Sequence, residues 1–115
     1  MARSSEGKLS LTLAVAAAIR KIPRGKVSTY GAVALAAGYP RCARHVSKVL
    51  NNTPGLPWQR VLGSGGCISL PRELGMEQRF LLEAEGVRFK GRRVDLKGFE
   101  FRFPGARQSP RKEKR

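Results

Sequence analysis

Apolar positions along the chain fall into four helical stretches and then an alternating one. From Leu9 to Ile22, the residues Leu11, Val15, Ala18 and Ile22 recur at helical spacing, which predicts a helix ended by Pro23 and Gly25. A short second helix, Tyr30–Ala37, is expected behind a Ser28 or Thr29 cap and ahead of Gly38. A third runs from about Pro40 to Leu50, with Pro40 suited to its first turn. Two short helices joined by a tight glycine-containing turn match the helix-turn-helix pattern. A fourth helix is predicted from Arg72 to Glu85, with Met76, Phe80 and Ala84 along one face beside Leu81, and Gly86 as its stop.

The remaining segments read as loops and strands. Leu56–Gly66 is punctuated by Pro and Gly, so its backbone is expected to be fixed in loops around Trp58. Cys67-Ile68-Ser69-Leu70 and Val87-Arg88-Phe89 read as extended, and Gly91 as a turn. Val94, Leu96, Phe99, Phe101 and Phe103 alternate with polar residues as strands do. The pattern describes a mainly α fold with a small β appendage, a winged helix-turn-helix domain over residues 9–104. A loose N-terminus, residues 1–8, and a disordered basic tail, residues 105–115, are expected to flank it.

The third helix separates its faces. Val46, Val49 and Leu50 are spaced to pack inward, whereas Arg41, Arg44 and Lys48 make a basic outer stripe. Ala43 and Ser47, beside that stripe, are small enough to let another surface approach closely.

Charge gives that face a meaning. The chain of 115 residues carries a net +15, with a pI near 11.3. Its last nine residues hold five basic side chains and one acidic one, so most of the excess lies in the folded part. Such a field favours a polyanion, and nucleic acid above an anionic membrane surface. No apolar run approaches the roughly 20 residues that span a bilayer. Cys42 and Cys67 do not suggest a secreted disulfide framework, and a cytoplasmic protein is expected, nucleoid-associated in a bacterium. Two cysteines and His45 are not spaced as a zinc site, so no metal or other cofactor is expected. Cys67 reads as a small packing residue and His45 as a solvated helix position.

Several motifs, in order, carry a family resemblance. They are Gly25-Lys26-Val27-Ser28-Thr29-Tyr30-Gly31, Ala43-Arg44 with Val46, Pro57-Trp58-Gln59-Arg60-Val61, and Leu82-Glu83-Ala84-Glu85-Gly86. Together they resemble the DNA-binding domain of O6-alkylguanine-DNA alkyltransferases, and more closely the alkyltransferase-like proteins. In the enzymes the central motif reads Pro-Cys-His-Arg-Val, and its cysteine accepts the alkyl group irreversibly. Here Trp58 stands at the cysteine and Gln59 at the histidine. A cysteine attacks an alkyl carbon only as a thiolate, which needs a base to remove its proton. An amide side chain cannot take a proton near neutral pH. The resemblance therefore implies that the chain is not an enzyme. Glu85, which matches the glutamate assisting that histidine, is left with a structural role at the helix end, and Arg60 with bracing the loop.

What the resemblance keeps is the apparatus for holding a damaged base. It implies that Tyr30 presses the target nucleotide out of the duplex and that Arg44 fills the vacated place in the stack. Arg41 and Lys48 would lie near phosphates, with Ala43 and Ser47 against the minor groove. The lesion pocket would be formed by Tyr30, Trp58, Val61 and Arg72, with Trp58 as a wall. The carbonyls of Trp58 and Val61 would accept from the guanine amino group, and Arg72 would lie against the base face. The expected partner is double-stranded DNA containing O6-alkylguanine, bound by a monomer that recruits nucleotide excision repair damage-recognition proteins. Two rivals are an active alkyltransferase using Cys67 as a displaced acceptor and a winged-helix transcription factor reading the major groove.

Overall fold

A computed structural model describes residues 2–104; the basic tail expected at residues 105–115 lies outside the described residues. Three helices pack on one another at the N-terminal end: α1 (Ala2–Arg20), α2 (Tyr30–Ala36) and α3 (Ala43–Asn52). Val15, Ile19 and Ile22 from α1 and its exit turn meet Val33 and Ala34 of α2 and Val46 and Val49 of α3 in a closed core. Helical backbone begins at Ala2, well ahead of the apolar pattern that starts at Leu9. At the other end the helix stops at Arg20, because the Lys21 and Ile22 amides bond three residues back, to Ala18 and Ile19, and tighten the last turn.

Thr29 caps α2 as expected, its hydroxyl accepting the Ala32 amide at 3.2 Å. The helix ends in a Schellman turn: the Tyr39 amide reaches the Ala34 carbonyl and the Gly38 amide the Leu35 carbonyl. Gly38 takes φ +92° there, a left-handed conformation that a β-carbon disfavours. The third helix starts three residues later than predicted. The Cys42 amide turns back to the Tyr39 carbonyl at 2.9 Å, so Pro40 and Arg41 form a turn and Ala43 is the first helical residue.

Beyond α3 the chain makes a 3₁₀ turn, Trp58–Arg60, then β2 (Val61–Leu62). This two-residue strand pairs in parallel with β1 (Ser28–Thr29), Ser28 opposite Val61 and Thr29 opposite Leu62. The pair is buried on both faces, as parallel strands usually are. Val61 points into the three-helix core and Leu62 into a second one with Val27, Leu82, Val87 and Val94. Val27 also exchanges backbone bonds with Phe99 and Phe101, which ties the C-terminal segment to the same seam.

The helix α4 (Arg72–Ala84) forms where the sequence places it, but turned differently. Met76 is 71% exposed and Phe80 69% exposed; the buried residues are Gly75, Gln78 and Leu82. The reason lies in the partner surface, which is a polar backbone loop. A β-carbon on Gly75 would sit 3.0 Å from the Leu70 carbonyl and 3.1 Å from Ile68 Cγ2, so a larger residue could keep this approach only if the loop gave way by a few tenths of an ångström. Gln78 Nε2 donates to the carbonyls of Gln59 and Val61, both at 3.0 Å. The loop's unpaired carbonyls thus pull an amide inward ahead of an apolar side chain.

Other strand expectations are also revised. Cys67–Leu70 is not a strand; a second 3₁₀ turn, Ser64–Gly66, precedes it and only an isolated bridge joins Cys67 to Arg93. An antiparallel hairpin of β3 (Phe89–Lys90) and β4 (Arg93–Val94) forms the wing. The alternating segment after it begins as a helical turn, α5 (Leu96–Phe99), before becoming extended at Glu100, which bridges Val27. Among the described residues no helix is long and apolar enough to cross a membrane.

Candidate nucleic-acid interface and lesion cavity

Arg44 and Lys48 lie four apart on α3 and are both exposed, as a helical basic stripe requires. Arg41 is exposed too, but it leaves that stripe because it sits in the turn before the helix. Ala43 and Ser47 are half-buried beside it. His45 is half-buried rather than fully solvated: its Nε2 lies 3.2 Å from the Thr12 hydroxyl, so it helps fasten α3 to α1.

A cavity of about 240 Å³ opens between α3, the start of α2, the Trp58 turn and the start of α4. Tyr30, Ser47, Leu50, Asn51, Trp58, Leu70 and Leu74 line it. Three of the residues singled out from sequence therefore meet: Tyr30, Ser47 and Trp58. Its lining mixes an aromatic and leucine wall with a few polar groups, the composition expected of a small-ligand site.

Val61 and Arg72 are not among the lining residues. The Val61 side chain is core-buried because β2 begins there, and its carbonyl accepts Gln78 Nε2. The Trp58 carbonyl likewise accepts the Val61 amide, so both carbonyls expected to face a base already have donors. Arg72 is exposed at the first position of α4 and lines shallower depressions next door. Leu50, Asn51, Leu70 and Leu74 are lining residues that sequence reasoning missed. Leu50 was read as inward-facing and Leu70 as a strand residue, and only the tertiary placement of α3 facing the segment that enters α4 turns them toward one space.

A carboxylate holds Trp58's turn in place. Arg60 grips Glu85 with Nε at 3.0 and 3.2 Å and with Nη2 at 3.1 Å, while its Nη1 donates to the Ile22 carbonyl at 2.9 Å. Gln59 Nε2 donates to the second Glu85 oxygen at 2.8 Å, and the Gly25 amide to the first at 2.9 Å. Burial by itself would push the Glu85 pKa up. The Arg60, Gly25 and Gln59 donors, with the Arg60 charge, outweigh it and hold the carboxyl below its ordinary value. Glu85 thus joins the exit of α1, the end of α4 and the turn carrying Trp58, the structural role anticipated for it, and Arg60 is the brace. The Gln59 amide is committed to this network as a donor. Cys42 and Cys67 are free thiols, and neither lines the cavity.

A helix-turn-helix with a wing, a basic α3 and a base-sized cavity behind it defines a nucleic-acid-binding class, and the comparison of sequences gives its family. The model of the 6-O-methylguanine DNA methyltransferase DNA-binding domain matches residues 10–87, and the chain belongs to this family. Its relatives include a DNA base-flipping protein of Vibrio parahaemolyticus, 54% identical over 74 residues that span 62% of this chain and 74% of the relative. Alkyltransferase-like protein 1 of Schizosaccharomyces pombe is 43% identical over 76 residues, 61% of this chain and 69% of that protein. Among solved structures, S. pombe Atl1 in complex with damaged DNA containing O6-carboxymethylguanine is similar with a TM-score of 0.69 at 31% identity, covering 81% of this chain and 95% of that one.

Proposed function

We propose that the protein is a non-enzymatic sensor of O6-alkylguanine in duplex DNA, which turns the damaged nucleotide out of the helix and holds it in the cavity. The observation that carries this reading is the joining of Tyr30, Ser47 and Trp58 around one cavity at the base of an exposed basic helix. Relatives named for base flipping and a structural neighbour crystallised on damaged DNA support it. Extracting a base costs a few kcal/mol, which an arginine filling the gap and an apolar pocket on the base can offset. In this reading Arg44, exposed on α3, takes the first task and Trp58, lining the cavity, the second. Asn51 and Ser47 offer polar groups to base edges, while Leu50, Leu70 and Leu74 suit an alkyl substituent.

In this reading chemistry stops at binding. The enzymes' acceptor position holds Trp58, and the neighbouring Gln59 side chain, bound to Glu85, cannot act as a base. The bound, distorted site is then a mark for nucleotide excision repair, read by its damage-recognition proteins. The test compares equal-sequence duplexes with and without a single O6-methylguanine, and follows intact protein mass in parallel. We expect tighter binding to the damaged duplex and no mass increase. Equal affinity for both duplexes refutes lesion sensing, and a stoichiometric methyl adduct refutes the non-enzymatic part. For the repair link, deleting the gene should add no alkylation sensitivity to cells already lacking nucleotide excision repair.

A further inference from the structure

The family model ends at Val87, yet the basic character of the chain does not. Residues 88–103 carry six basic side chains against Asp95 and Glu100. Their hairpin turn, at Gly91 and Arg92, is anchored to α4 by one residue, Arg79. Its Nη1 donates to the Gly91 carbonyl at 2.9 Å, its guanidinium lies 4.3 Å from the centre of the Phe89 ring, and its Nε pairs with Glu83 at 3.1 Å. Between hairpin and helix this leaves a groove of about 390 Å³, bordered by Arg72, Arg79 and Arg92 over Leu70 and Met76.

The groove adjoins the lesion cavity. Leu70 lines both, and the depression between them is lined by Pro71, Arg72, Glu73 and Leu74, where Glu73 is the one carboxylate. Arg72 and Arg92 are exposed, and no carboxylate pairs with either among the described residues. Guanidinium groups over an apolar floor match a phosphodiester backbone, with phosphate oxygens to the arginines and deoxyribose carbons to Leu70 and Met76. Met76, placed outward against the apolar pattern of its helix, gains a use in this arrangement.

We propose that this groove is a second DNA-contact surface, gripping the backbone on the side of the cavity away from α3. The proposal rests on the duplex-binding reading above and adds to it a contact made by the hairpin beyond the family domain. The experiment titrates the full chain with a fluorescent duplex bearing one O6-methylguanine over a range of salt. Arg92→Ala should lower the magnitude of the log–log salt slope by about 1, one phosphate's worth of counterions, and Arg92→Lys should restore it. Uncharged methylphosphonates, substituted one at a time, locate the contact. Wild type should lose affinity at one or two phosphates to which Arg92→Ala is indifferent, different from those to which Lys48→Ala is indifferent.

Lys97→Ala removes one charge from the opposite cleft of the hairpin, where Lys97 sits with Lys90 and Arg93. It should leave the Arg92-sensitive phosphates as they are in wild type. The proposal is overturned if Arg92→Ala keeps the wild-type methylphosphonate profile, or if Lys97→Ala reproduces its effect. Failure of the sensor reading looks different: wild type would bind damaged and normal duplexes alike, while the Arg92-sensitive phosphates persisted.

Discussion

Substituting Glu85→Gln tests whether one carboxylate sets the geometry of the cavity wall. The side chain is 5% exposed and its Arg60 partner 17%, so the pair is largely withdrawn from water. Removing one partner of a fully buried pair costs about 3–5 kcal/mol, mostly from the charge left behind. Two features reduce that here: Arg60 keeps the Ile22 carbonyl and some solvent, and a glutamine oxygen can still accept from one donor. We therefore expect a loss of about 2–3 kcal/mol, toward the lower end of the buried-pair range after that discount. With a urea m-value of about 1–3 kcal/mol/M for a small domain, the midpoint should fall by about 0.7–3 M.

The pH dependence supplies a second readout. Glu85 has a folded-state pKa below the ordinary carboxylate value of 4.5, so its contribution is present above that pH and is lost as pH falls through the folded value. The stability gap between wild type and Glu85→Gln should be full at neutral pH and close on acidification below 4.5. Urea melts followed by far-ultraviolet circular dichroism at several pH values measure both. A midpoint within about 0.2 M of wild type, about 0.2–0.6 kcal/mol at such m-values, would refute the reasoning. So would a gap that stays constant down to pH 3. Because the network holds the turn bearing Trp58, lesion preference should fall in the variant even where it remains folded.

Further outcomes follow from the same geometry. Trp58→Ala should reduce the preference for alkylated over normal guanine by about 1–3 kcal/mol, if base–aromatic stacking energies transfer, and leave binding to undamaged duplex nearly unchanged; full retention of preference in a folded variant would make Trp58 core filling. Arg44→Ala should lower the fluorescence of a base analogue at the lesion position, by loss of the flipped state, and weaken lesion binding strongly. Gly75→Ala sets about 1–3 kcal/mol of crowding against the Leu70 backbone against about 1 kcal/mol of gained helix propensity, so a net loss of up to about 2 kcal/mol is expected; a urea midpoint raised by the full propensity gain would contradict that close approach. Trp58→Cys should gain no alkyl group by intact mass, because Gln59 cannot activate the thiol, whereas adding Gln59→His, beside the Glu85 carboxylate, should permit transfer.

The helices were legible in the sequence because their signals are local. Periodicity marked α4 and the apolar part of α1, though not the helical start of α1 at Ala2; Thr29 and Gly38 bounded α2, and Arg44 with Lys48 marked an exposed basic face whatever the chain did elsewhere. The ordered motifs from Gly25 to Gly86 gave the family and with it Tyr30 and Trp58, while Ser47 stood out as a small residue beside the basic stripe, before any coordinates. What tertiary structure alone decided depends on partners distant in the chain. The outward turn of Met76 and Phe80 follows from carbonyls of the Trp58–Val61 segment that needed the Gln78 amide, and from a close backbone approach at Gly75 that a side chain would crowd. Val61 was lost to the core because a two-residue strand pairs with Ser28–Thr29, a register no local pattern encodes. Leu70 and Leu74 joined the cavity, and Arg72 left it for the groove toward Arg92, through the placement of one helix end. Spacing along a helix fixes which residues share a face; which face is buried is settled by the hydrogen-bonding needs of whatever surface the helix meets.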